Sequence, residues 1–137
     1  MNRHTTDRDG YVNWKYMVET YINDNQRRER FWHYTLPRGI GVSSFLISLA
    51  NEKVEEGSVL YIAQNHDSMM DVRNYLNNRV ELTCPNYAFT ALSGRTFDWV
   101  FMDNCIHSQH VNVFHSQQFL FSISKSKVLW IDTTEGK

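Results

Sequence analysis

The segment from Leu36 to Ser44, LPRGIGVSS, has the residue types and spacing of a phosphate-binding loop. It follows an apolar, aromatic run at 31–36 and precedes an amphipathic stretch at 44–54, which is the strand, loop and helix setting that such a loop requires. Small residues let successive backbone N–H groups converge on phosphate oxygens, and the following helix contributes its positive N-terminal end. We therefore predict phosphate contacts at Arg38, Gly39, Gly41, Val42, Ser43 and Ser44.

One residue of this loop departs from what the chemistry needs. A lysine normally follows the last glycine and neutralises the phosphate charge, but Val42 stands at that position. The next residue, Ser43, keeps the hydroxyl that would bind magnesium. The sequence therefore leaves open whether the loop serves a working nucleoside triphosphatase or only its scaffold.

Two more polar clusters follow predicted strands. Asp103-Asn104 comes after the apolar run at 99–102, and Asp132-Thr133-Thr134 comes after the run at 128–131. Strands that alternate with helices predict an α/β fold, with a central, mainly parallel sheet in three α/β/α layers. Ligands bind beyond the carboxyl ends of such strands. The three clusters meet there only if the strand at 128–131 lies between those at 31–36 and 99–102.

The remaining elements complete a single domain at 31–137, preceded by a helical segment at 1–30 that packs on its core. Further strands are predicted at 59–63 and, more weakly, at 80–83 and 87–92. Helices are predicted at 11–30, 44–54, 67–78 and 111–123, with Ser43 or Ser44 as the N-cap of the second and Asp67 as the N-cap of the third. Met70, Val72, Tyr75 and Leu76 are expected to face inward on the third helix.

Composition excludes some classes of function. The 137 residues carry 14 basic and 15 acidic side chains, so the net charge of −1 does not indicate a nucleic-acid protein. A local basic patch at Arg27, Arg28 and Arg30 could contact nucleic acid, or could be the solvated end of a helix. The absence of a long apolar segment, and cysteines that fit buried positions in a reducing compartment, lead us to expect a soluble intracellular protein without a membrane partner, in the cytoplasm or nucleus of a host cell.

The ordered set of motifs resembles P-loop NTPases of the additional-strand class, most closely the ATPase domain of the large terminase subunit of tailed phages and herpesviruses. Terminase loops commonly follow the pattern Arg-x-x-Gly-Lys-Ser/Thr, which the segment 38–43 matches except at the lysine. The run 93–103 is similar to the terminase approach to the Walker B motif. The resemblance implies ATP with Mg²⁺ held by Ser43 and Asp103, and a coupling segment at Thr133 and Thr134.

The resemblance also shows what is missing. Walker B of a working terminase ends in Asp-Glu, and the glutamate is the general base, but Asn104 stands there and cannot accept a proton. We therefore expect weak ATP binding and impaired or lost hydrolysis in a nucleic-acid or protein-binding module linked to DNA packaging. Its partners would be DNA or a protein of a packaging or replication assembly; its oligomeric state is not indicated.

An alternative interpretation is that the chain has ATPase activity. Arg38 could supply the cation in place of the lysine, which would make the chain a minimal ATPase of the packaging-motor type. A third reading is a protein-interaction module whose nucleotide pocket has collapsed.

Overall fold

The computed structural model describes residues 14–24, 30–37, 39–85, 92, 94–105 and 122–134, which contain three helices and five strands. In chain order they are α1 (Trp14–Asn23), β1 (Phe31–Leu36), α2 (Val42–Lys53), β2 (Val59–Ile62), α3 (His66–Arg73), β3 (Glu81–Thr83), β4 (Phe97–Asp103) and β5 (Ser124–Thr133). The five strands form one sheet in the order β1-β5-β4-β2-β3, and every neighbouring pair is parallel. The predicted α/β class is confirmed, and β5 lies between β1 and β4 as the sequence required.

This strand order explains how the two sides of the sheet are covered. The steps from β1 to β2 and from β2 to β3 run in the same direction across the sheet, so right-handed crossovers put α2 and α3 on one face. The steps from β3 to β4 and from β4 to β5 run in the opposite direction, so the same rule sends those connections to the other face. Leu92 and Ile123, which belong to these connections, pack there with Val100 and Trp130.

Both faces of the central strands are buried, which is why these strands read as continuous apolar runs. In β2, all four residues from Val59 to Ile62 are buried. Tyr61 packs with the three helices, whereas its neighbours Leu60 and Ile62 pack on the opposite side. Two apolar clusters separated by the sheet are what a three-layer fold requires.

Several predicted boundaries are wrong. The third helix begins at His66, because the side chain of Asn65, and not that of Asp67, caps it by accepting from the Ser68 N–H at 2.9 Å. It ends at Arg73, earlier than predicted. Met70 and Tyr75 are exposed rather than buried. Gly41, and neither serine, is the N-cap of α2. Residues 86–91 and 106–121, in which a strand and most of a helix were predicted, lie outside the described residues.

The helix α1 is held on the sheet by rings and by two buried lysines. Tyr21 stacks on Trp32 of β1 with ring centroids 4.1 Å apart. The ammonium of Lys127 donates to the backbone carbonyls of Tyr21 and Asp24, and Lys53 donates to the Asn23 side chain. A cation at the C-terminal end of a helix satisfies carbonyls that have no partner within the helix. None of the described helices combines the length and apolar character needed to cross a membrane.

We expect Lys127→Met to lower the free energy of unfolding by about 2 kcal/mol, because buried carbonyls of α1 lose a charged donor. Lys125→Met is the matched control, since Lys125 lies on the same strand with an exposed side chain. Urea unfolding at neutral pH measures both variants. Equal stability of the two would show that the Lys127 contacts contribute nothing.

Candidate functional site

The loop between β1 and α2 has the backbone that a phosphate cradle needs. Gly39 and Gly41 both adopt positive φ angles, 84° and 87°, where a side chain would be strained. Gly41 caps α2 without a side-chain hydrogen bond, so it contributes no side-chain oxygen to the N–H groups of the first helical turn. Arg38 lies outside the described residues.

Two motifs that are far apart in sequence meet just beyond this loop. The Ser43 hydroxyl donates to Asp103 Oδ2 at 2.7 Å, which joins the first turn of α2 to the end of β4. The hydroxyl of Tyr61, a fully buried residue of β2, donates to the same oxygen at 2.6 Å. Two hydroxyl donors therefore fix the carboxylate at the carboxyl edge of the sheet.

Burial of Asp103 affects the pKa of its own carboxyl and that of Tyr61. Asp103 is only 6% exposed. Desolvation raises the pKa of its carboxyl, the bonds from Tyr61 and Ser43 oppose that rise, and the nearby charge of Asp132 adds to it. Desolvation, followed by the charge of Asp103, raises the pKa of Tyr61 well above its ordinary value. The tyrosine is therefore a neutral donor to Asp103.

Asn104 links the ends of neighbouring strands through its side chain. It is the one described residue other than glycine with a positive φ, at 61°, a conformation that asparagine tolerates. Its Oδ1 accepts from the Thr133 N–H at 2.8 Å and from the Thr133 hydroxyl at 3.2 Å. Its Nδ2 donates to Gln64 Oε1 at 3.2 Å. The side chain thereby ties the ends of β4 and β5 to the segment that follows β2.

The end of β5 closes the same edge towards β1. The N–H of Thr134 donates to the carbonyl of Leu36 at 3.0 Å. On the other face, the buried Asp132 accepts from the Trp130 indole at 2.7 Å and pairs with His33 Nε2 at 2.6 Å. The predicted coupling residues thus contact both flanking strands, Thr133 through Asn104 and Thr134 through Leu36.

The side chains of two further predicted residues, Val42 and Arg30, do not belong to the cluster around Asp103. The Val42 side chain is 4% exposed and belongs to the apolar core on the helical face. Arg30 precedes β1 and its guanidinium donates to the Ser124 carbonyl at 2.5 Å. Because β1 has six residues, Arg30 lies at the opposite end of the sheet, about 20 Å from the loop. Arg27 and Arg28 lie outside the described residues.

A cavity of about 650 Å³ opens beside the contact between Ser43 and Asp103. It lies between α2 and α3 and above the ends of β2 and β4. Its lining residues are Ser43, Ser44, Ile47, Gln64, Ser68, Asp71, Val72, Tyr75, Asp103 and Asn104. This volume is in the range of small-molecule sites.

Hard oxygen donors at Ser43 and Asp103 fit a magnesium ion that keeps most of its waters and also binds a phosphate. Within the described residues, no group of three or more His, Cys, Asp or Glu side chains could hold a metal by itself. An ion at this position would therefore depend on oxygens from a ligand.

Sequence reasoning missed Tyr61, Gln64 and His33. A phenol in the otherwise aliphatic run 59–63 is the signal that could have drawn attention to Tyr61, whereas Gln64 and His33 carry none. Comparison of the chain with protein-family models and with curated proteins finds no match. The contacts above are therefore the basis for assigning a function.

We expect Asn104→Ala to lower the free energy of unfolding by about 2 kcal/mol, since it loses the bonds to Thr133 and places a Cβ in the left-handed region. Asn104→Gly loses the same bonds without the strain, so it should be about 1 kcal/mol more stable than the alanine variant. Urea unfolding compares the two. An alanine variant as stable as the glycine variant would contradict the strain at this residue.

We expect Asp103→Asn to be more stable than the parent at pH 7. A carboxyl whose pKa is raised on folding disfavours the folded state progressively as the pH rises from its unfolded to its folded pKa, and the substitution removes that effect. The advantage should shrink as the pH is lowered through the carboxyl range, which thermal unfolding at several pH values measures. Asp67→Asn, in the exposed first turn of α3, should instead lower stability slightly. Destabilisation by Asp103→Asn at every pH would contradict this account.

Proposed function

We propose that this chain is a P-loop protein of the additional-strand class, similar to terminase ATPase domains, that binds a nucleotide phosphate weakly and hydrolyses it slowly or not at all. The observation that carries the proposal is the 2.7 Å contact between Ser43 Oγ and Asp103 Oδ2. In a working site of this class, the loop hydroxyl and the Walker B carboxylate hold one magnesium ion. Here those two groups, 60 residues apart, lie within one hydrogen bond.

The sheet order gives independent support. An additional strand between the loop strand and the Walker B strand defines the class that the sequence resembles, and β5 occupies that position between β1 and β4. The two glycines with positive φ, and the first turn of α2, which no side chain caps, supply backbone N–H groups for an anion.

Two substitutions argue for weak binding and slow chemistry. Val42 packs in the core and brings no charge to the loop. Asn104 is held by Thr133 and Gln64, and a carboxamide cannot accept the proton of an attacking water. Loss of one charge-stabilising group commonly raises a barrier by about 3 kcal/mol, and two such groups are missing here.

Magnesium, when bound with a phosphate, would neutralise charge on the phosphate oxygens. Ser43 would bind it, and Asp103 would orient its waters while Tyr61 holds the carboxylate in place. The loop backbone would bind the phosphate, and Asn104 would keep the ends of β4 and β5 together.

The link to DNA packaging rests on the resemblance to terminases. If Arg30 contacts nucleic acid, it does so at the amino ends of the strands, on a surface separate from the phosphate loop. A DNA or protein partner is therefore proposed independently of nucleotide binding.

We expect ATP with Mg²⁺ to raise the melting temperature of the parent in proportion to the logarithm of its concentration, with turnover far below about 1 per second. Gly41→Val should abolish that stabilisation, because its side chain strains the loop and blocks the approach of a phosphate. Gly94→Val is the matched control, since Gly94 has a similar φ of 77° with open space around it, away from the site. Ser43→Ala should remove the magnesium dependence.

Two results would contradict the proposal. If ATP stabilises neither the parent nor Gly94→Val, the loop does not bind nucleotide and the interaction-module reading stands. If the parent turns over ATP at about 1 per second and Arg38→Ala abolishes it, the chain is the active minimal ATPase that uses Arg38 as its cation.

A further inference from the structure

The cavity beside Asp103 is larger than a phosphate and its metal would need. It extends from the start of α2 to the far end of α3, where Tyr75 lines it with a side chain that is 69% exposed. Ile47 and Val72 add an apolar wall. A ligand that fills it must therefore combine a polar end with an apolar body.

The charge of the lining selects the sign of that ligand. Asp71 and Asp103 contribute two carboxylates, and none of the ten lining residues is a lysine, arginine or histidine. Ser43, Ser44 and Ser68 add hydroxyl oxygens that can accept further hydrogen bonds. A second phosphate or a nucleic-acid backbone would meet repulsion here, whereas a cation would be attracted.

The form of the lining selects an organic cation over a metal ion. The cavity volume far exceeds that of a bare ion, and its two carboxylates do not form a metal cage among the described residues. An exposed aromatic ring such as Tyr75 can stack on a planar guanidinium. The apolar wall of Ile47 and Val72 suits the methylene stem of a long side chain.

We propose that this cavity binds an arginine side chain presented by a partner protein. The guanidinium lies between Asp71 and Asp103, and its fork of five N–H donors uses the acceptors that line the floor. The stem runs along Ile47 and Val72, and Tyr75 covers the entrance. Arginine is favoured over lysine because a compact ammonium uses fewer acceptors and stacks less well on a ring.

The argument for this arginine site rests on the cavity lining and not on the proposed nucleotide function, although the two sites share Ser43 and Asp103. A phosphate would lie against the backbone of the loop, while the arginine enters between α2 and α3. Because magnesium and the guanidinium would compete for Asp103, each ligand is titrated in the absence of the other. A bound guanidinium would also compensate the buried negative charge of Asp103, and this electrostatic gain would favour docking.

The test is an NMR titration of the full chain with acetyl-Gly-Arg-Gly-amide and with the same peptide carrying citrulline, a neutral analogue of nearly the same shape. We expect the arginine peptide to bind at least about tenfold more tightly than the citrulline peptide, and its affinity to fall as salt is added. Amide signals of Gln64, Asp71 and Asn104 should shift.

Matched variants locate the site. Asp71→Asn should weaken binding of the arginine peptide about fivefold, whereas Asp67→Asn, on the same helix but outside the cavity lining, should leave it unchanged. Tyr75→Ala should weaken it about threefold, and Tyr16→Ala, an exposed tyrosine on α1, should have no effect.

Four outcomes would overturn the proposal. They are no binding of the arginine peptide, equal binding of the citrulline peptide, unchanged binding by Asp71→Asn, and displacement of the bound arginine peptide by a short single-stranded DNA. If the Arg38→Ala variant binds the peptide and the parent does not, Arg38 of this chain occupies the cavity and the assignment to a partner protein is wrong. A parent that binds the arginine peptide but not ATP would refute the proposed nucleotide function alone.

Discussion

A buried carboxylate at the end of β4 governs how the neighbouring elements meet. An ionised carboxyl that leaves water costs several kcal/mol unless hydrogen-bond donors replace the solvent. The donors to Asp103 come from two different elements, Tyr61 of β2 and Ser43 of α2. The loop after β1 must therefore turn so that the first turn of α2 lies over the sheet edge, which its two glycines with positive φ permit.

The same edge is closed by contacts among strand ends. Asn104 follows β4 and accepts from Thr133 of β5, while Thr134 donates to the carbonyl of Leu36 at the end of β1. These bonds fix β5 between β1 and β4 at the point where the crossover connections change from one face to the other. In a parallel sheet that point is where a crevice for ligands forms. The chemistry of the site and the order of the strands thus depend on one another.

The strands that could be predicted from sequence are those buried on both faces. The run 59–63 and the end of β5 are continuous apolar segments, so both could be recognised as buried strands. The order of β1, β5 and β4 followed from the polar clusters at their carboxyl ends. The boundary of α3 could not be predicted as well, because Asn65 and Asp67 are both good N-caps and only the contact with Ser68 distinguishes them. Sequence spacing is silent on contacts between distant residues. Tyr61 lies 42 residues from Asp103, and His33 lies 99 residues from Asp132.

The residues that depart from the terminase pattern have structural contacts of their own. The Val42 side chain packs in the apolar core, where the charged end of a lysine could not remain. Asn104 holds β5 by two hydrogen bonds and has a positive φ, a conformation in which a glutamate would be strained. Lysine at position 42 and glutamate at position 104 would therefore remove packing and strand contacts. Asp103 is the opposite case, since its burial opposes folding and its hydroxyl partners only partly offset that cost. This carboxylate is therefore unfavourable for folding and is nevertheless hydrogen-bonded to the hydroxyl at the start of α2, the arrangement on which the proposed function rests.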